Sequence, residues 1–175
     1  MDGHWAEDAI AYVYEKGMMN GTGETTFPPD SPLTRGMIVT VLYRLENEPA
    51  VGESTFTDVD DGMYYAAPIA WAAGNGIVNG FPDGTFGPED SVTREQMSAI
   101  LYRYAGYKGF DVAAADLSVC TDAGDIGSYA IEAMAWANAE GLITGVTDTA
   151  LQPAGTGTRA QVATILMRFC ENVMQ

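Results

Sequence analysis

The sequence predicts an all-α protein built from three helix–loop–helix repeats, and three observations carry that reading. Arginines recur nine residues apart: Arg35 and Arg44 in "PLTRGMIVTVLYRL", Arg94 and Arg103 in "SVTREQMSAILYRY", Arg159 and Arg168 in "GTRAQVATILMRF". A glycine segment precedes each pair, "EKGMMNG", "GNGIVNG" and "AEGLITG", aligning Gly17, Gly76 and Gly141, and the Thr-Arg arginine follows eighteen residues later every time. Twelve residues before each glycine stands an aromatic, Trp5, Tyr64 or Tyr129, and five before it another, Tyr12, Trp71 or Trp136. Recurrence in register at this period is the signature of stacked units, none of which can bury its apolar face alone.

The elements follow in order within each unit. In the second, "YYAAPIAWAAGNG" sets Tyr64, Ile69 and Trp71 among alanines, which predicts a helix that Gly74 and Gly76 end. "IVNGFPDGTFGPEDSV" is dense in Gly, Pro, Asn and Asp, so the chain turns repeatedly there. Thr93 then caps a second helix running to about Ala105, with Met97, Ile100, Leu101 and Tyr104 on its apolar side. Thr-x-x-Gln allows a capping box at Gln96 and again at Gln161. Met37 cannot complete one, and Gly36 is a poor helix former, so the corresponding helix of the first unit is expected to start least firmly.

Composition narrows the function classes. The chain of 175 residues is 47% hydrophobic and 18% charged, as an ordered globular protein is, and no apolar run approaches the length that spans a bilayer. Eight Lys and Arg against 24 Asp and Glu give a formal net charge of -16, which argues against a nucleic-acid partner. Cys120 and Cys170 lack CxxC spacing and suggest neither zinc nor a redox pair; buried thiols or one disulfide both remain open. "DVDDG" at 58–62 places its glycine one position early for an EF-hand, so no metal or other cofactor is expected.

The residues resemble the S-layer homology (SLH) family, whose repeats often begin Phe-x-Asp-Val and carry Thr-Arg-Ala-Glu at the start of the second helix. "FTDV" at 56–59 and "CTDA" at 120–123 look like the first element, and the three Thr-Arg pairs like the second. The resemblance implies repeats at 1–48, 54–107 and 117–175 forming one compact domain, the first trimmed and entering at "DGHW", which matches "DGMY" at 61–64. It also implies a pseudo-threefold assembly with a three-helix bundle at its centre and grooves between neighbouring repeats. In function it implies a bacterial cell-surface location, in the cell wall or S-layer. There the module would anchor an attached effector domain by binding a secondary cell-wall polysaccharide, commonly anionic through a pyruvyl ketal, without inserting into a membrane.

Candidate ligand contacts combine both lines of reasoning. Arg35, Arg94 and Arg159 fall at helix N-termini, where free amides and the helix dipole favour an anion and a guanidinium adds a planar fork for a carboxylate. The competing reading for each is a structural bridge to a carboxylate. Arg44, Arg103 and Arg168 lie toward helix C-termini and read as dipole partners. Tyr12, Trp71 and Trp136 read as core, whereas Trp5, Tyr64 and Tyr129 are candidates for groove walls. Gly21, Gly80 and Gly145 read as turn glycines with positive φ that also let backbone approach a ligand. A single histidine, His4, and equivalent sites in every repeat suit binding better than catalysis. A self-assembling or protein-binding unit without sugar affinity is the alternative.

Overall fold

The computed structural model describes residues 3–21, 26–113, 115–147 and 149–175. Among these the chain forms α1 (Glu7–Glu15), α2 (Arg35–Leu45), α3 (Ala66–Gly74), α4 (Arg94–Lys108), α5 (Ile131–Ala139) and α6 (Arg159–Asn172), with one 3₁₀ turn at Ala123–Asp125 and no strand. Two helices fall in each repeat, as the sequence predicts. Tyr64 stands just outside its helix, in the turn before α3, and Trp5 and Tyr129 hold the same place before α1 and α5.

Short helices cannot bury an apolar stripe unaided, and the partner each finds lies in another repeat. The first helix of a repeat packs on the second helix of the preceding one: α3 on α2, α5 on α4, and α1 back on α6. The last pairing closes a ring. Contact between second helices is lighter, with α2 touching α4. An aromatic chain threads the interior across all three repeats, from Tyr43 to Trp71, Tyr104, Phe169 and Trp136, with ring centroids 5.7 to 6.4 Å apart. Trp71 and Trp136 are buried core residues, as expected. At one end Glu46, which caps α2, accepts from the Tyr104 hydroxyl at 2.6 Å and pairs with Lys108 at 2.8 Å, fastening α2 to α4.

The second helices start alike, on threonine caps. Thr93 with Gln96 and Thr158 with Gln161 form complete capping boxes, while Thr34 accepts only from the Met37 amide. The expected looseness of α2 is offset by packing. A Cβ at Gly36 would stand 2.9 Å from the Pro88 carbonyl and 3.2 Å from the Tyr65 ring, so the glycine lets the second repeat's loop close on the helix.

The amides that open these helices are not free. Arg35 and Gly36 N–H donate to the Asp90 and Pro88 carbonyls, Arg94 and Glu95 to Gly155 and Pro153, and Arg159 and Ala160 to Ser31 and Pro29. Each loop belongs to the next repeat, and the third helix reaches back to the first repeat's loop. This corrects the expectation of an anion site made by helix-terminal amides: with the first two donors taken by carbonyls and the third by the threonine cap, little of the terminus remains to greet a ligand.

Candidate functional site

The side chains of the three Thr-Arg arginines follow the same route into the next repeat. Arg35 Nε donates to the Phe86 carbonyl at 2.9 Å. Arg94 Nε donates to Leu151 at 2.6 Å and its Nη2 to Thr144 at 2.6 Å. Arg159 Nη2 donates to Asn20 at 2.6 Å, while its Nε is buried without a partner among the described residues. Rings flank two of them: Phe86 and Phe81 lie 4.6 and 5.0 Å from the Arg35 guanidinium carbon, and Phe27 lies 4.3 Å from that of Arg159.

All three arginines are buried, and among the described residues no carboxylate lies within 4.0 Å of any of them. Burial pushes each guanidinium below its ordinary pKa, with Tyr129, Asp90 and Asp58 near Arg35, and Asp122 near Arg94, offsetting part of that effect. Tyr64 does the same for Arg159. The group stays charged. A buried charge without a counter-ion is costly, and neutral carbonyls satisfy only some of its five N–H donors. Among the described residues no carboxylate forms the expected structural bridge; the bridges present run to backbone carbonyls.

Each arginine opens onto a groove assembled from three repeats. Arg35 shares a cavity of about 570 Å³ with Gly80 and Arg103 of the second repeat and Tyr129 of the third. Arg94 shares one of about 270 Å³ with Gly145 and Arg168 of the third and Trp5 of the first. Arg159 shares one of about 340 Å³ with Gly21 and Arg44 of the first and Tyr64 of the second. All nine candidate contacts thus fall into three sets of arginine, glycine and aromatic. Trp5, Tyr64 and Tyr129 are more than half exposed, as groove walls must be.

The second arginine of each pair also lines a groove, the one entered by the preceding repeat's Thr-Arg arginine, beyond the dipole role read from the sequence. Arg44 and Arg168 donate to the Met18 and Gly141 carbonyls at 3.5 and 3.4 Å, beside the ends of α1 and α5. Arg103 makes no hydrogen bond to the described residues and faces the cavity beside Tyr129. Two cations therefore meet in every groove.

Two features were read differently from the sequence. Gly80 and Gly145 do not have positive φ; that conformation belongs to Gly17, Gly76 and Gly141, which follow the first helices. What excludes a side chain is space: a Cβ at Gly80 would lie 2.2 Å from the Phe56 ring and 2.6 Å from the Thr85 carbonyl, and one at Gly145 would lie 2.0 Å from the Thr147 carbonyl. Gly80→Ala is therefore expected to cost about 1–3 kcal/mol, read as a lowered Tm, while Gly84→Ala has an open site but a strained φ.

The sequence reading also passed over the aspartates of the Phe-x-Asp-Val elements. Asp58 accepts from the Phe86 and Gly87 amides at 2.8 and 2.7 Å, and Asp122 from Leu151 and Gln152 at 3.0 and 2.7 Å. These bonds hold the Asp122 carboxylate below its ordinary pKa. The aspartates fix the loops whose carbonyls receive Arg35 and Arg94. Their matching position in two repeats was the available signal.

Among the described residues no group of His, Cys, Asp and Glu could hold a metal ion, and no helix is long and apolar enough to cross a membrane. Cys120 and Cys170 are free thiols.

Comparison with known proteins agrees with the repeat pattern. The S-layer homology domain matches residues 1–36, 55–98 and 121–163. The chain is 32% identical to an amylopullulanase of Thermoanaerobacterium thermosulfurigenes over 96% of its own length and 9% of that protein. It is 33% identical to a cellulosome-anchoring protein of Acetivibrio thermocellus over 58% of its length and 24% of that protein. It is 31% identical to the S-layer protein sap of Bacillus anthracis over 56% of its length and 12% of that protein. The chain thus spans a small part of each of these relatives. With the family's domain matched in all three repeats, the chain belongs to the S-layer homology domain family.

Proposed function

We propose that this chain is a non-catalytic anchoring module that fastens an attached effector domain to the bacterial cell surface. Its ligand is an anionic secondary cell-wall polysaccharide whose ketal carboxylate enters the inter-repeat grooves. The observation that carries this reading is the set of three buried guanidiniums that have no carboxylate within 4.0 Å among the described residues and open into cavities. A ligand carboxylate supplies the missing counter-charge, and a charged hydrogen bond of that kind contributes about 1.5–3 kcal/mol. The exposed Trp5, Tyr64 and Tyr129 offer faces for sugar rings. Three grooves acting on one polymer gain avidity without further contacts.

The relatives named for anchoring a cellulosome or forming an S-layer fit a surface role. Those named as enzymes are many times longer than the shared segment, as expected when the module is carried beside a catalytic domain. The deciding experiment compares intact wall polysaccharide with the same polymer after mild acid removal of its ketals. Binding to the intact polymer and loss of binding to the stripped one is the expected result. Equal binding to both defeats the carboxylate mechanism, and binding to neither leaves a self-assembly or protein-binding role.

A further inference from the structure

The three grooves share a plan but not a charge. In register, the residue after each Thr-Arg arginine is Gly36, Glu95 or Ala160, so only the second repeat places a carboxylate there. Glu95 lines the cavity that Arg35 enters. Its Oε1 accepts from the Tyr129 hydroxyl at 2.9 Å and its Oε2 from the Gly127 amide at 2.8 Å. A Cβ at Gly127 would meet the Tyr129 ring at 2.8 Å, so glycine, tyrosine and glutamate form one fitted unit across the groove.

Two consequences follow for a ligand. Arg35 and Arg103 face a carboxylate in this groove, whereas the described lining of the other two holds the arginine pairs without an acid. Asp58 and Asp122 do not create this difference, because they stand in equivalent places beside Arg35 and Arg94. The Tyr129 hydroxyl, a donor suited to an anion, is already given to Glu95, while each Glu95 oxygen keeps a lone pair for a donor on the ligand. Ala99, Arg103 and Tyr129 also line a second space of about 410 Å³ walled by Ser128 and Glu132, which places a second carboxylate on the far side of Tyr129.

Resting on the proposed carbohydrate binding, we infer that Glu95 is a specificity-determining residue: the Arg35 groove selects an acidic sugar that also carries an ammonium group, while the Arg94 groove takes the acid alone. A zwitterionic ligand places its carboxylate against the arginines and its ammonium against Glu95. A purely anionic one meets repulsion from Glu95.

The test isolates one groove at a time. Arg94→Ala with Arg159→Ala leaves the Arg35 groove, and Arg35→Ala with Arg159→Ala leaves the Arg94 groove. The probes are two methyl glycosides of a pyruvyl-ketal hexosamine, one with a free amine and one N-acetylated, titrated calorimetrically below pH 7. The Arg35 groove is expected to prefer the free amine by up to about fivefold, the upper end for one ion pair near a protein surface. Glu95→Gln, which keeps the shape, removes the preference, and the Arg94 groove shows none. Tyr129→Phe frees a Glu95 oxygen and enlarges it, which keeps the idea testable should the glutamine variant fold poorly. A preference that is absent, shared by both grooves or unchanged by Glu95→Gln overturns the inference while carbohydrate binding stands. Failure of both sugars to bind in either groove overturns the proposed function and the inference with it.

Discussion

Replacing Arg35, Arg94 and Arg159 together by alanine is expected to abolish binding to wall polysaccharide while leaving a cooperative thermal unfolding transition. The first half follows from the grooves, each of which loses the cation that reaches it from the neighbouring repeat. The second follows from opposing terms of similar size. Each substitution forfeits hydrogen bonds to carbonyls such as those of Phe86 and Leu151, but also removes a buried charge that has no carboxylate partner among the described residues. The loss of a few bonds at about 1 kcal/mol each is partly offset by relief of desolvation. Co-sedimentation with purified wall material, alongside a circular-dichroism melt, reads both. Retained binding in the triple variant would show the arginines to be structural, and loss of the melt together with binding would require conservative Arg→Lys variants to separate the two roles.

A chain ending at residue 109 is expected to lose cooperative folding. Removing 110–175 takes away α5, on which α4 packs, and α6, on which α1 packs, so two helices are stripped on one face at once. It also removes the Gly155 and Pro153 carbonyls that receive the opening amides of α4, and the Phe169 ring beside Tyr104. The remaining chain presents apolar surface with nothing to cover it, and broad unfolding or aggregation follows. Differential scanning calorimetry decides the matter: a sharp transition near the temperature of the intact protein would mean that the repeats fold independently.

Much of this architecture was legible in the sequence. Helix positions, threonine caps and the grouping of arginine, glycine and aromatic at matched offsets are written in local spacing, because caps and apolar periodicity depend on near neighbours. What spacing could not show is the direction of handover between repeats. Arg35 and Phe86 are 51 residues apart in the chain, and Arg159 and Asn20 are 139 apart, so no local pattern pairs them. The helix-terminal amides were read as open for the same reason: the carbonyls that occupy them come from another repeat. Gly80 and Gly145 were assigned to backbone conformation when their cause is a ring and a carbonyl brought close by the loop's return. Glu95 drew no reading from the sequence, since its partners Gly127 and Tyr129 lie across a groove.

The seam between α1 and α6 acquires a mechanical meaning if the module bears a load. Tension drawn along the amino-terminal end acts first on the packing of α1 against α6, ahead of the bonds that tie the opening of α6 to the Pro29 and Ser31 carbonyls. Peeling α1 away carries off Trp5 from the groove of Arg94, and Asn20 and Gly21 from the groove of Arg159, so two grips slacken together. The Arg35 groove takes its walls from later segments and keeps hold. Pulling single molecules by that end while they are bound to immobilised polysaccharide should therefore give a two-stage rupture, an early yield at the seam followed by release of a surviving grip. Release in one step at all pulling rates would show that the ring parts as a whole.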